Sequence, residues 1–377
     1  MMETPFVYGK LATGKYFTDR ETEIAQLKQN FLLGTNTILI SPRRWGKTSL
    51  VKKASDEITA TNDLIKILQI DMFNIRTEEE FYKSLSEKLM KAVSSKMEEL
   101  VENAQKFMKQ WVPKITFSPD AQQEFSFGLN WEEIKKQPDE ILNLAETIAL
   151  EKNIKIVICV DEFQNISYFE NPLAFQKKLR SHWQNHQHVS YCLYGSKRHM
   201  LMEVFTSPSM PFYKFGNLVF LEKIPTKYWI EFILQQFNSS GKIISAQHAE
   251  AIATLAKNHP YYVQQLAQLC WLRTENEVTD VIVREALESL VLQLSLLFQN
   301  ITESLGTSHL NYLKAVIEEV RMMSAKKTIE NYNLGTSANV SRIKKALIDK
   351  EIIDDQGGRV ELLDPIYAIW LRDYYFA

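Results

Sequence analysis

Cysteine is scarce in this chain: Cys159, Cys192 and Cys270, an odd number, stand in apolar surroundings without metal-type spacing. A disulfide framework is therefore excluded as the basis of the fold, and the three read as buried thiols in a reducing compartment. No apolar run approaches the roughly eighteen residues of a membrane span. Met1 to Pro5 also lacks a charged region followed by an apolar stretch, so the expected location is the cytoplasm, with no membrane partner. An excess of either charge is missing too, with 44 Lys and Arg against 46 Asp and Glu. That excludes a global polyanion-binding character and confines any nucleic-acid role to a local basic patch. Apolar residues make up 45% of the 377, enough for two or three domains with large cores.

The stretch that organises the rest runs from Ile38 to Leu50. An apolar β-branched run ends at Ser41, a turn follows, and a helix opens near Lys47 with Leu50, Val51, Ala54 and Ile58 on one face. Strand, turn and helix in this order form a phosphate-binding loop. A polyphosphate is best held by backbone N–H groups at a helix N-terminus together with a cation. Ser41, Pro42, Arg43, Arg44, Trp45, Gly46, Lys47, Thr48 and Ser49 would line the nucleotide, ATP or ADP. Gly46 allows close approach, Lys47 reaches the β- and γ-phosphates, and the Thr48 hydroxyl stands where Mg²⁺ would sit. Ser41 occupies the position where the motif has glycine, so its backbone must accept the angles of the turn. A strand, a basic turn and a helix without a ligand would share this pattern, so a second half of the site is required.

Ile156 to Val160 supplies it: a continuous apolar run, as in a parallel strand covered on both faces, ending in Asp161-Glu162. Acids at the carboxyl end of such a strand lie where open α/β sheets bind ligands. Asp161 would hold Mg²⁺ through water and Glu162 would polarise the attacking water. A solvated strand end is the alternative for one acid alone.

Around these two pieces the pattern predicts a helix carrying Ile24, Leu27 and Phe31, capped by Thr18 or Asp19. A strand from Ile65 ends near Asp71, and one charge-rich helix spans Glu78 to about Lys106. Between Trp111 and Trp131 the period changes to two, through Ile115, Phe117, Phe125, Phe127 and Leu129, as in a hairpin around Pro119-Asp120. Helices follow over Asp139 to Leu150 and Ala174 to Trp183, then strands over Val189 to Tyr194 and Val219 to Leu221. His182, His186 and His188 lie close together, but no cysteine or well-placed carboxylate joins them as a metal set.

From Thr226 to Phe298 the chain is helical by pattern. The last stretch reads as three helices, ending with Ser337 to Lys350, and a hairpin turning at Gly357-Gly358: a winged helix-turn-helix. Its third helix could enter a major groove with Asn339, Ser341, Arg342, Lys344 and Lys345 outward. Yet between Gly306 and Ala377 ten basic residues face ten acidic ones. Packing as a regulatory or protein-interaction domain is therefore the alternative to DNA binding.

Phe17-Thr18-Asp19-Arg20-Glu21, Pro42-Arg43-Arg44-Trp45-Gly46-Lys47-Thr48-Ser49-Leu50 and Asp161-Glu162-Phe163-Gln164 occur in this sequence and order. Together they resemble the archaeal-type ATPase family of P-loop proteins, close to the STAND and AAA+ groups. The resemblance implies an ATP-binding core in which Phe17 and Arg20 lie near the base or hinge, and it places a sensor residue at Ser196. It also implies a helical lid in which Asn258-His259-Pro260 turns beside the nucleotide, although Pro260 would equally serve as a helix-start proline. Lys214 stands where relatives carry an arginine, and lysine lacks the planar bidentate grip of an arginine finger. An active site completed in trans would imply a homo-oligomer, and Lys214 weakens that inference.

The expected fold is α/β: a parallel P-loop sheet with helices on both faces (1–222), then a helical lid (223–300) and a winged helix-turn-helix (301–377). The expected activity is slow Mg²⁺-dependent ATP hydrolysis, with Glu162, Lys47 and Ser196 as catalytic groups and Thr48 and Asp161 at the metal. Two alternatives remain at this level. One is a nucleotide-gated switch acting on DNA or a protein through the winged helix, with hydrolysis as reset. The other is a nucleotide-binding remnant, suggested by Ser41 and Lys214.

Overall fold

The segments that read as continuous apolar runs take the middle of a parallel sheet. In the computed structural model, which describes residues 4–109, 114–117, 125–128, 130, 132, 134, 138–356 and 358–377, the strands are β1 (Thr37–Ile40), β2 (Ile65–Asp71), β3 (Lys114–Phe117), β4 (Phe125–Gly128), β5 (Lys155–Asp161), β6 (Val189–Gly195) and β7 (Asn217–Phe220). Five of them form one parallel sheet in the order β2-β5-β6-β1-β7. Burial follows this order. β1 and β6 are buried throughout and β5 nearly so, while the edge strand β2 is partly half-buried and the edge strand β7 is mostly exposed. Helices on two faces remove water from the central strands, which is why their sequences do not alternate.

These strands belong to one of two compact units, formed by Arg20–Arg43 with Lys47–Glu222. Its helices are α1 (Glu21–Leu33), α2 (Lys47–Thr59), α3 (Glu78–Ala92), α4 (Met97–Met108), α5 (Pro138–Lys152), α6 (Pro172–Trp183) and α7 (Arg198–Thr206). The structure differs from the sequence reading in three places. The single helix expected over Glu78 to Lys106 is two. Val93 ends α3, and the Glu99 carboxylate takes the Ser95 backbone N–H at 2.6 Å and its hydroxyl at 2.9 Å, so local side-chain bonds replace the helical ladder. Neither Thr18 nor Asp19 caps α1. Arg20 holds the N-cap position with φ 79° and no side-chain cap bond. Finally, β7 begins at Asn217, earlier than expected. β3 and β4 pair antiparallel from Lys114↔Gly128 to Phe117↔Phe125. Trp111, Pro119, Asp120, Leu129 and Trp131 of the expected hairpin lie outside the described residues.

The second unit gathers Met1–Asp19, Arg44–Gly46 and Lys223–Ala377. It contains α8 (Thr226–Ser239), α9 (Ala246–Leu255), α10 (Pro260–Arg273), α11 (Asp280–Glu303), α12 (Thr307–Ile317), α13 (Lys326–Asn331), α14 (Ser337–Asp349), β8 (Ile353–Gln356), β9 (Arg359–Leu362) and α15 (Pro365–Trp370). One apolar core runs from the helices of the lid into the winged helix. Phe6 is fully buried in it, against Phe232 at 6.0 Å and Phe237 at 5.7 Å. Gln264 fixes the same N-terminal segment by accepting the Val7 N–H at 2.9 Å, and Gln236 donates to the Lys15 carbonyl at 2.7 Å.

The closing Asp364-Pro365 segment has a double role. Asp364 caps α15 by accepting the N–H groups of Ile366 at 2.9 Å and Tyr367 at 3.0 Å, and Pro365 starts the helix. The other Asp364 oxygen accepts the Tyr262 hydroxyl from α10, so one carboxylate joins the lid to the winged helix. Burial raises the Asp364 carboxyl above its ordinary range, and these three donors oppose that rise. On α14 the outward set is smaller than expected. Lys344 pairs with Asp355 of the wing and Asn339 donates to the Leu334 carbonyl, while Ser341, Arg342 and Lys345 are exposed.

Candidate functional site

Strand register brings the chemistry to one end of the sheet. Ile40 is level with Gly195 across β1 and β6, and Val160 is level with Leu193 across β5 and β6. The loop after β1, the acids closing β5 and Ser196 after β6 therefore emerge side by side at the carboxyl ends, the position where open α/β sheets take ligands.

In the loop, the left-handed positions are Arg44 (φ 63°) and Gly46 (φ 88°), whereas Ser41 has no positive φ. Serine thus meets no conformational demand that only glycine could satisfy. A Cβ on Gly46 would meet nothing within 4 Å, so backbone angle rather than crowding selects glycine there. Lys47 opens α2 with a side chain 5% exposed, folded over its own loop, its Nζ donating to the carbonyls of Pro42 at 2.9 Å and Ser41 at 3.2 Å. Ser49 is buried in the first turn of the same helix.

The Thr48 hydroxyl donates to Asp161 Oδ2 at 2.8 Å. Burial, opposed by the Thr48 bond and reinforced by Glu162, pushes the Asp161 carboxyl up to about 6. A carboxylate whose charge is penalised by burial, with a hydroxyl oxygen beside it, is a donor set suited to a hard divalent cation such as Mg²⁺.

Glu162 adopts φ 52°, a left-handed angle rare for a non-glycine residue and found in strained functional turns. Its Oε2 accepts the Ser196 hydroxyl at 2.9 Å, and Arg43 Nε donates to that Ser196 oxygen at 3.3 Å. Gln164 also donates to Oε2. From sequence alone Gln164 is a motif residue without a role. Its place two residues after the acid was the available signal.

Arg44, Trp45 and Pro260 belong to the second unit. The Arg44 guanidinium lies 4.5 Å from the centre of the Tyr261 ring, and the Trp45 ring meets His259 edge-on at 6.5 Å. Pro260 occupies the first turn of α10, with His259 as N-cap. Burial, with like charge from Arg44 and Lys223, pushes the His259 imidazole down to about 3. Its unfolded value is about 6.5, so the folded chain binds fewer protons between those limits. Stability from this group is complete above the unfolded value and is lost as pH falls through the window. About 2–3 kcal/mol is expected to be gone by pH 4.5. Denaturant unfolding at neutral and acid pH should show this loss, and His259→Gln should flatten the slope by that share. Burial also lowers the His186 imidazole, to about 4, which adds acid sensitivity of the same sign.

Phe17 follows the short turn Gly14–Tyr16, in the second unit, and Arg20 pairs with Glu23 at 2.8 Å. Lys214 is exposed and precedes β7, at the sheet end opposite the loop, so it takes no part in its own chain's cluster. Among the described residues no group of three or more His, Cys, Asp or Glu could hold a metal. His182 and His186 contact Asn143 at 3.0 and 3.2 Å, and His188 contacts Glu146 at 2.9 Å. All three cysteines are free and buried, and among the described residues no helix is long and apolar enough to cross a membrane.

Comparison with known proteins fits this geometry. Residues 296–373 match a winged helix domain model. Among solved structures the chain is similar to the Walker-type ATPase Paby2304 of Pyrococcus abyssi, at 17% identity over 98% of this chain and 100% of that one, with TM-score 0.67. It is similar to Aeropyrum pernix Orc2 in its ADPNP–ADP complexes, at 14% identity over 97% and 96%, TM-score 0.55. The Aeropyrum pernix Orc1 protein in complex with DNA shares 14% identity over 100% and 99%, TM-score 0.50. At such identities the likeness is one of fold. No curated protein matches the chain in sequence. Residues 17–212, just over half of the chain, match a family described as an ATPase domain predominantly from Archaea. That segment takes in the loop at Ser41–Thr48, the acids Asp161 and Glu162 and the serine that binds Glu162, and the chain belongs to this family of ATPase domains.

Proposed function

We propose that the protein is a Mg²⁺-dependent ATPase coupled to a C-terminal winged helix. The observation that supports it best is the convergence, at one sheet end, of Lys47, the Thr48–Asp161 pair at 2.8 Å and the Glu162–Ser196 pair at 2.9 Å. Lys47 and the loop N–H groups would hold the β- and γ-phosphates. Thr48 and Asp161 would hold Mg²⁺, which supplies charge neutralisation when bound. Glu162 would orient a water for in-line attack on the γ-phosphoryl and take its proton, while Ser196 fixes the carboxylate. Lys214, where relatives carry an arginine, stands outside this cluster, and turnover is expected to be slow.

A second reading is a nucleotide-gated switch, acting through the winged helix on DNA or a protein partner. It is motivated by loop residues Arg44–Gly46 sharing one unit with the lid and winged helix, and by the Tyr262–Asp364 bond that ties those two together. The exposed Arg342 and Lys345 would be its phosphate contacts on DNA. The shared test is phosphate release by the full chain with ATP, with and without Mg²⁺. We expect Mg²⁺-dependent release slower than about 1 s⁻¹, at the low end for enzymes. Release no faster than that of Lys47→Ala would overturn the ATPase reading.

A further inference from the structure

Three donors converge on one oxygen of Glu162. Ser196 donates to Oε2 from its hydroxyl at 2.9 Å and from its backbone N–H at 3.4 Å, and Gln164 Nε2 donates to the same atom. The second oxygen, Oε1, takes none of these bonds and is left to accept from a water. Gln164 is only 3% exposed, and its own Oε1 is buried with no hydrogen-bond partner among the described residues. That atom lies over Gly195: a Cβ built on Gly195 would stand 1.9 Å from it and 3.0 Å from Gln164 Cδ. The reversed amide would set an oxygen against the carboxylate, so charge fixes Nε2 toward Glu162. An apolar side chain would fill this space without leaving a buried acceptor unpaired. The amide therefore serves the acid rather than the packing.

We propose that Gln164 is a positioning residue for ATP hydrolysis. With Ser196 it pins Oε2 of Glu162 and so sets the plane in which Oε1 meets the attacking water, and Gly195 is the gap that admits its amide. The inference rests on the ATPase reading above. It goes beyond that reading because it assigns a function to two residues that would touch neither nucleotide nor metal.

Steady-state phosphate release and ATP affinity, measured on the full chain, test it with Gln164→Ala, Gly195→Ala and the double variant. Gln164→Ala is expected to lower kcat by about ten- to a hundredfold, as misplacement of a general base does, with KM and ATP affinity within about twofold. Gly195→Ala should lower kcat comparably, because its Cβ takes the place of the amide oxygen. In the Gln164→Ala background it should cost almost nothing more, since the colliding atoms are gone. Gln164→Asn keeps the amide but falls short of Glu162, and should lose kcat as alanine does. Wild-type kcat in Gln164→Ala, or the same loss from Gly195→Ala in both backgrounds, would overturn the proposal while leaving the wild type an ATPase. A wild type without Mg²⁺-dependent release would overturn both.

Discussion

Replacing Lys47 by alanine is expected to weaken ATP binding by about a hundred- to ten-thousandfold, through loss of charge-assisted bonds to two phosphates worth about 1.5–3 kcal/mol each, and ADP binding, where the γ-phosphate is missing, by about ten- to a hundredfold. Lys47 stands at the N-terminus of α2, where the helix dipole already favours negative charge, and is 5% exposed. Its ammonium rests on the Ser41 and Pro42 carbonyls. It would therefore turn toward a bound polyphosphate from within the loop, with little side-chain freedom left to lose. Mass spectrometry of nucleotide released from the purified protein gives the first readout, and titration calorimetry the second. The wild type should carry or bind nucleotide and the variant should not. Circular dichroism controls for folding, since the variant leaves two loop carbonyls without that donor. A folded Lys47→Ala protein that binds ATP within about threefold of the wild type would contradict a phosphate-binding role, because even one charge-assisted bond exceeds that factor.

Much of this site could be read from sequence because its signals are local. The loop between β1 and α2 announces itself by a change of period across a turn. β5 could be recognised because a strand covered on both faces leaves no alternation, and its terminal acids then stand out. The third helix and wing of the winged helix were visible for the same reason, in the stripe Val340, Ile343 and Leu347 and in the glycine turn. What stayed hidden depends on partners far away in sequence or on competition between bonds. Phe6 gives no periodic signal, yet it is fully buried among aromatics of a helix far along the chain. The break between α3 and α4 turns on whether a Ser95 N–H prefers the helical ladder or the Glu99 carboxylate. The position of Lys214 follows from strand direction, which composition does not encode. Lys344 looked like a solvent-facing cation until the wing supplied Asp355. Gln164 stood in plain sight two residues after Glu162, but its reach back depends on the left-handed turn at Glu162 and on the missing Cβ of Gly195.

Glu162→Gln should separate hydrolysis from binding. The substitution keeps the length of the side chain, and the new carboxamide oxygen can still accept from Ser196, so the fold should survive. It removes the negative charge and the proton-accepting oxygen that would orient the water. Phosphate release should therefore fall by about a hundred- to ten-thousandfold, the range supplied by a positioned general base. ATP affinity should change little, because Lys47, Thr48 and the loop N–H groups are untouched. The variant also distinguishes the two proposed readings. If hydrolysis is itself the output, the variant loses that output in every nucleotide state. If hydrolysis only resets a switch, the variant should be held in its ATP-bound state and bind DNA or a protein partner through the winged helix more tightly with ATP than with ADP. A tenfold preference, about 1.4 kcal/mol, would be ample to detect in a binding titration against duplex DNA at fixed salt. Equal binding with ATP and ADP would sink the switch reading for DNA, and undiminished phosphate release would remove Glu162 from the chemistry altogether.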